Sequence, residues 1–356
     1  MKQYNILTVI SSVFLKKMSI VTSIFFPSYK YFIMPIVNKL NYNPSFLFKS
    51  RHFNTVYQTL FRNINNVYYE RKRIQTPDND FLDIDFSFVK SNKAVILCHG
   101  LEGSSRAQYM KGMVRALNEN NFNAACMNYR GCSGEPNKKI GAYHSGKTED
   151  LHLIIKHIEK KYKEIYLIGF SLGGNLVLKY LGDMKHKKPK NIMKAAVISV
   201  PCDLSSASDE LSKTKNYIYQ KRFLKRFHEK IKDKMKIMPD KINDKAFKKI
   251  KTIRDFDNCY IAPIFKYKDA EDYYQKESSR RYISKIKIPT LIINAKDDPL
   301  LTEKCFPFLE AKNSKNVYLS APRYGGHVGF CSFKKDIYWV EERVINFLTK
   351  NFHSIV

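Results

Sequence analysis

The sequence predicts an α/β protein, a mostly parallel sheet with helices on both faces and a helical insertion over one end. Three observations carry this. Short, β-rich apolar runs alternate with segments of helical periodicity along most of the chain. These runs are nearly continuous in their apolarity, as expected of strands covered on both faces. The alternation stops after Pro201 for a long basic stretch of helical pattern, then resumes near Pro289.

The elements follow in order. "FLDIDFSFV" alternates apolar and polar residues and reads as a strand. "KAVILCHG" is a strand ending on His99-Gly100, "QYMKGMVRALNEN" a helix and "FNAACMNYRG" a strand. "TEDLHLIIKHIEKKY" is a helix with Thr148 as its expected N-cap. "EIYLIGF" is a strand, "NLVLKYLGDM" the helix behind it, and "KAAVISVP" a further strand. Residues 205–287 carry Lys and Arg in excess of Asp and Glu and contain no apolar strand. They read as a helical cap inserted into one domain. "IPTLIINAKDDP" and "KNVYLSAPRYGGHVGF" are strand–loop units, and "WVEERVINFLTKNF" is a closing amphipathic helix. The expected organisation is an N-terminal extension over 1–50 and one domain over 51–356. The apolar runs "ILTVISSVFL" and "MSIVTSIFF" are split by Lys16-Lys17 and stopped by Pro27. Each falls short of the ~18–20 apolar residues of a spanning helix. They read either as a membrane-surface segment or as non-native upstream sequence, with the start at Met18 or Met34.

Composition narrows the function. The chain has 356 residues and 44% hydrophobic content, enough for one large domain with a sizeable core. The net charge of +29 comes mainly from lysine, in a chain also rich in Asn, Ile and Tyr, as in products of AT-rich genomes. No nucleic-acid-binding signature accompanies it, so nucleic acid is not an expected partner. The seven cysteines are odd in number and lack C-x-x-C spacing. This argues against a disulfide framework or zinc site and for a reducing, cytoplasmic location. No phosphate loop, dinucleotide fingerprint or metal-spaced cluster occurs, so no cofactor and no metal are expected.

The chemistry centres on "YLIGFSLGGN", Tyr166 to Asn175. Gly169-Phe170-Ser171-Leu172-Gly173 matches G-x-S-x-G, with a strand entering and a helix leaving. Small residues at 169 and 173 let neighbouring backbone approach, so that Ser171 projects from a sharp corner above a helix N-terminus. A serine hydroxyl needs a base. His327, in "YGGHVGF", follows the last strand and would serve as general base and then acid. An aspartate at the end of "LIINAKDDPL" would orient it. Counting from Ala295 favours Asp298, with Asp297 as a solvated loop or capping carboxylate. A strand-end His99-Gly100 shapes the loop that would free the Leu101 N–H. Leu101 and Leu172 N–H are thus the expected oxyanion donors. His144 reads as structural.

"HGLEGSS", "YRGCSGEPN", "YHSGKTED", "GFSLGGN", "AKDDP" and "GGHVGF" together resemble the YheT-type α/β-hydrolases, related to the eukaryotic ABHD lipid hydrolases. The resemblance starts near Arg51, where "RHFNTVYQTLFR" is similar to the family's opening motif, and runs to the closing helix. It implies the α/β-hydrolase fold, the triad Ser171, Asp298 and His327, and a carboxylic-ester hydrolase. Lys147 stands where relatives often carry an acid, and the opening motif departs around Val56-Tyr57. The expected substrate is a small ester or a lipid, cleaved through an acyl-enzyme. An acyltransferase on the same triad and a non-catalytic binding protein are the alternatives. Amphipathic basic segments such as "KRFLKRFHEKIKDKMKI" allow a peripheral contact with anionic membrane.

Overall fold

The computed structural model describes residues 42–333 and 336–350. The readings of the apolar N-terminal runs lie outside the described residues. Eight strands form one sheet: β1 Glu70–Gln75, β2 Phe81–Ser87, β3 Lys93–Cys98, β4 Asn123–Asn128, β5 Glu164–Phe170, β6 Ile192–Ile198, β7 Thr290–Ile293 and β8 Val317–Ser320. Their order is β1-β2-β4-β3-β5-β6-β7-β8. From β4 onward all pairings are parallel, and β2 runs antiparallel to both neighbours.

Helices cover both faces. Side chains of α2 (Gln108–Glu119) and α8 (Trp339–Thr349) pack with Val95 and Leu97 of β3 on one face. Those of α3 (Thr148–Ile158) and α4 (Leu172–Gly182) pack with Ile96 and Cys98 on the other. Successive β3 residues point to opposite faces and both faces are covered, which is why "KAVILC" is apolar without interruption. Cys98 is buried packing.

Between β6 and β7 the described chain is helical: α5 Leu204–Leu211, α6 Tyr217–Ile237, α7 Ala270–Glu277 and shorter turns. These helices build a core of their own from Leu211, Phe227, Ile231, Ile253, Phe256 and Tyr260. A further helix, α1 (Arg51–Phe61), precedes the sheet. Residues 42–50, grouped with the extension in the sequence reading, instead pack on the domain. Phe48 is fully buried beside Cys331 and Tyr338.

One local expectation needs correction. The N-cap position of α3 is Lys147, and Thr148 Oγ1 lies 3.2 Å from His186 Nε2 instead of capping. Glu149 and Asp150 supply the negative charge that favours this helix start. The sequence also hid β1. "ERKRIQ" carries no strand pattern because its arginines bind across the pair. Arg71 forks onto Asp85 (2.6 and 2.9 Å) and Arg73 onto Asp83 (2.8 and 2.9 Å). The polar side of β2 is therefore buried rather than solvated.

Two of the quoted motifs meet in one largely buried ionic cluster. Arg130, from "YRGCSGEPN", binds Asp150, from "YHSGKTED", through two bonds of 2.8 and 2.7 Å. Its Nη1 reaches Asp80 (3.2 Å) and Asp78 (2.6 Å). Asn137 Nδ2 donates to Asp80 at 2.6 Å. Removing one member strands buried charges of the opposite sign. Arg130→Met is expected to destabilise the fold by about 3–5 kcal/mol, read as a lowered urea midpoint at unchanged slope. A loss below about 1 kcal/mol, the worth of a surface pair, would refute a structural role for this cluster.

Candidate active site

Ser171 sits between β5 and α4 with φ 52° and ψ −118°, a backbone conformation that side chains rarely tolerate. The flanking glycines explain how it persists. A Cβ on Gly169 would overlap the Gly173 carbonyl, and one on Gly173 would overlap the Cys98 carbonyl at the end of β3. Ser171 N–H is anchored to Ile198 O at 2.8 Å, so β6 fixes the far side of the corner.

His327 Nε2 lies 3.0 Å from Ser171 Oγ. Its Nδ1 lies 2.9 Å from Asp298 Oδ2 and 3.1 Å from Oδ1. The Asp298 side chain is fully buried and also accepts the Leu300 N–H at 2.9 Å. A carboxylate on Nδ1 keeps the proton there and leaves the Nε2 lone pair for the serine hydroxyl. The fold thus brings together Ser171, Asp298 and His327 from three loops at one edge of the sheet.

The loop Leu101 follows is held on both sides. Gly100 N–H donates to Tyr109 Oη (2.9 Å) and Glu102 N–H to Tyr143 Oη (3.0 Å). His99 Nε2 accepts the Tyr129 N–H (3.3 Å), so its Nδ1–H donates to Gly100 O (2.7 Å). Burial lowers the pKa of His99 to about 3, and it stays neutral. Leu101 N–H and Leu172 N–H have no acceptor among the described residues. Gly100 is in near contact with the serine, since a Cβ there would come 3.3 Å from Ser171 Cβ. His144 is held in a wall of rings, 4.6 Å from Phe265 and 5.8 Å from Tyr273, and its Nδ1 accepts the Gly146 N–H.

Several supporting residues escaped the sequence reading. His327 N–H donates to Thr55 Oγ1 (2.9 Å), Val328 N–H to Ser199 Oγ (2.8 Å) and Cys331 N–H to Asn54 Oδ1 (3.0 Å). Gln58 Nε2 binds Val328 O. The opening motif on α1 is therefore a brace for the histidine loop. The available signal was the pair Asn54 and Gln58, polar residues one helical turn apart that are both buried. Asp297, expected as a solvated loop or capping carboxylate, caps a backbone group and is only partly solvated. Its Oδ1 accepts the Gly326 N–H at 2.9 Å, and Oδ2 is buried without a partner.

A cavity of about 1110 Å³ opens over Ser171 and His327, walled largely by apolar side chains of the 204–265 helices, including Phe223, Phe227, Phe256 and Ile264. Among the described residues, no group of His, Cys, Asp and Glu could hold a metal ion.

A serine on a strained strand–helix corner, a histidine between it and a buried aspartate, and a mostly parallel sheet beneath them are the arrangement of an α/β-hydrolase. The chain belongs to the α/β-hydrolase fold family, whose model matches residues 93–332. Within it the chain is of the YheT type. It is 32% identical over 312 residues to the Escherichia coli K12 protein named "Putative esterase YheT", covering 85% of this chain and 91% of that one. Mouse phospholipase ABHD3 is 29% identical over 83% of this chain and 74% of its own. Yeast monoacylglycerol lipase is 28% identical over 78% of this chain and 63% of its own. An esterase structure from Pyrococcus furiosus shares the fold, with TM-score 0.53 at 21% identity over 80% of this chain and 95% of that one. The protein is an enzyme of the esterase and lipase type.

Asp297 yields a pH-dependent prediction. Burial raises its pKa to about 6. A carboxyl whose folded pKa is raised stabilises the fold fully below its unfolded pKa of about 4, and this contribution is lost as pH rises through 6. Asp297→Asn keeps an oxygen for Gly326 and removes the charge. The variant is expected to melt higher than the parent at pH 8 and to match it at pH 4. An equal shift at both values would exclude ionisation of Asp297 as the cause.

Proposed function

We propose that the protein hydrolyses carboxylic esters, lipid esters included, through an acyl-enzyme on Ser171. The observation that carries this reading is the Ser171–His327–Asp298 relay at the floor of an apolar cavity, beside two uncommitted N–H groups. His327 Nε2 takes the hydroxyl proton as Ser171 Oγ attacks the ester carbonyl. The tetrahedral oxyanion is received by Leu101 and Leu172 N–H, and Asp298 stabilises the imidazolium. The proton passes to the leaving alcohol, whose departure leaves the acyl group on Ser171. Water then repeats the sequence in the deacylation half, and an alcohol in place of water would make the same enzyme an acyltransferase. The relatives named phospholipase and monoacylglycerol lipase support a lipid substrate, and the cavity has the volume and walls for an acyl chain.

Ser171→Ala is expected to abolish both turnover of p-nitrophenyl esters and labelling by a fluorophosphonate probe, with the far-ultraviolet spectrum unchanged. Turnover persisting in that variant would end the mechanism. Asp298→Asn is expected to cost about 10²–10⁴-fold in kcat. Asp297→Asn should cost far less, and the opposite ranking would exchange the two roles.

A second reading, peripheral contact with anionic membrane, is favoured by the cavity mouth. Leu60 (66% exposed) and Ile218 (78% exposed) both line the cavity and face solvent. Lys221 and Lys225 follow on exposed positions of α6. Each basic residue near an anionic bilayer contributes ~1 kcal/mol. Lys221→Glu with Lys225→Glu should therefore weaken co-sedimentation with phosphatidylglycerol vesicles at low salt and leave the salt-resistant fraction unchanged. Identical low-salt binding would assign these lysines to a solvated surface. No helix among the described residues is long and apolar enough to cross a membrane. Seven cysteines without a disulfide support a reducing compartment, hence the cytoplasm.

A further inference from the structure

The oxyanion loop carries a connection that the hydrolytic mechanism leaves unused. Glu102 immediately follows Leu101 and has φ +54°, a conformation that a non-glycine residue keeps only when its surroundings enforce it. Its side chain is only 5% exposed. A carboxylate so buried needs bonds and a counter-charge. Tyr143 Oη donates to Glu102 Oε1 at 2.6 Å while accepting the Glu102 N–H, so one phenol clamps both ends of the residue. The counter-charge comes from outside the sheet. Lys230 Nζ, on α6, lies 2.9 Å from the same Oε1. It also lies 2.9 Å from Cys132 Sγ and 5.0 Å from the centroid of the Tyr143 ring.

We propose that Lys230 is a positioning residue for ester hydrolysis. From the cap helix α6 it holds Glu102, and through Glu102 the orientation of the Leu101 N–H, so the oxyanion site is complete only while that helix is seated. The inference rests on the reading of Ser171 as nucleophile and Leu101 as donor. Three features favour it over a plain surface tie. Glu102 is covalently next to the proposed donor. Its strained backbone has two side-chain restraints, and Lys230 supplies the charged one. Among the ion pairs of the described residues, Lys230–Glu102 is the one that joins α6 to the sheet-bearing part of the chain. Lys234, one turn further along, binds the backbone carbonyls of Asn137 and Lys139 and forms no ion pair with Glu102. It provides a matched anchor for comparison.

The test uses the full chain and p-nitrophenyl butyrate. Lys230→Met is expected to lower kcat by about 10²-fold, because a small displacement of one donor is felt in the transition state. KM should stay within about threefold, since that contact is absent from ground-state binding. The rate of fluorophosphonate labelling, which also places an oxygen in the site, should fall in parallel. Lys234→Met loosens the same helix but should lower kcat much less. Adding Glu102→Gln to Lys230→Met removes the stranded carboxylate and should recover a large part of the lost rate. A rise in KM at unchanged kcat would overturn the proposal and make Lys230 a substrate contact. Equal losses in Lys230→Met and Lys234→Met would overturn it in favour of general loosening. Failure of the underlying reading is separate: it would appear as turnover surviving Ser171→Ala, whatever Lys230 does.

Discussion

The arrangement depends on one close approach. The first turn of α4 lies against the end of β3 so tightly that Gly173 has no room for a side chain, and Gly169 is held equally close to Gly173. That contact forces the chain through a corner where Ser171 adopts its positive φ. The corner is held from two other directions, by the Ser171–Ile198 bond across β6 and by Gly100 close to the Ser171 Cβ. A strained backbone persists only where its surroundings over-determine it. Here backbone from three strands does so, and the serine hydroxyl is aimed before any substrate arrives.

The histidine is secured differently, by side chains rather than backbone crowding. Thr55, Ser199, Asn54 and Asp297 each accept one N–H of the 326–331 segment, from three separate places in the sequence. Val328 and Phe330 are at positive φ within this loop, at 60° and 48°. A loop that bends this sharply satisfies few of its own backbone groups, Phe330 N–H to Gly325 O being one, so helix α1 and two strand ends take the others. This explains why the opening motif carries polar residues on the buried side of an amphipathic helix.

Legibility in the sequence tracked the range of the cause. Strands β2 to β8, α2, α4 and α8 were readable because their apolar spacing is local and reflects burial on both faces of the sheet. The serine corner was readable for the same reason: G-x-S-x-G lists, within five residues, every side chain the close approach forbids. Neighbouring Asp297 and Asp298 differ in what meets them from elsewhere. Asp298 turns to His327 Nδ1 and Asp297 to Gly326 N–H, 29 residues away in both cases. Counting from the strand end favoured Asp298 but missed that one oxygen of Asp297 is buried. β1 was hidden because its fitness as a strand lies in Arg71 and Arg73 matching Asp85 and Asp83 across the pair, which no single-strand pattern records. The packing of Phe48, which precedes the expected domain start, against Cys331 and Tyr338 is likewise invisible in any local pattern.

The same long-range pairings bear on the charge of +29. The chain has 33 acidic residues against 62 basic ones. Many acids are committed inside: Asp80, Asp83, Asp85, Asp150, Glu102, Glu277 and Glu341 are each buried at a cation. Their partners are drawn from strands, loops and helices that must meet for the fold to form, and a buried carboxylate without its cation is costly. These seven acids meet six cations, so the buried pairs leave the excess of positive charge almost unchanged, and that excess lies at the surface. The positions that carry information about function are then the few cations drawn back inside. Lys230, beside the loop proposed to receive the oxyanion, is one; Lys179, bound to Glu277 behind the serine-bearing helix, is a structural counterpart.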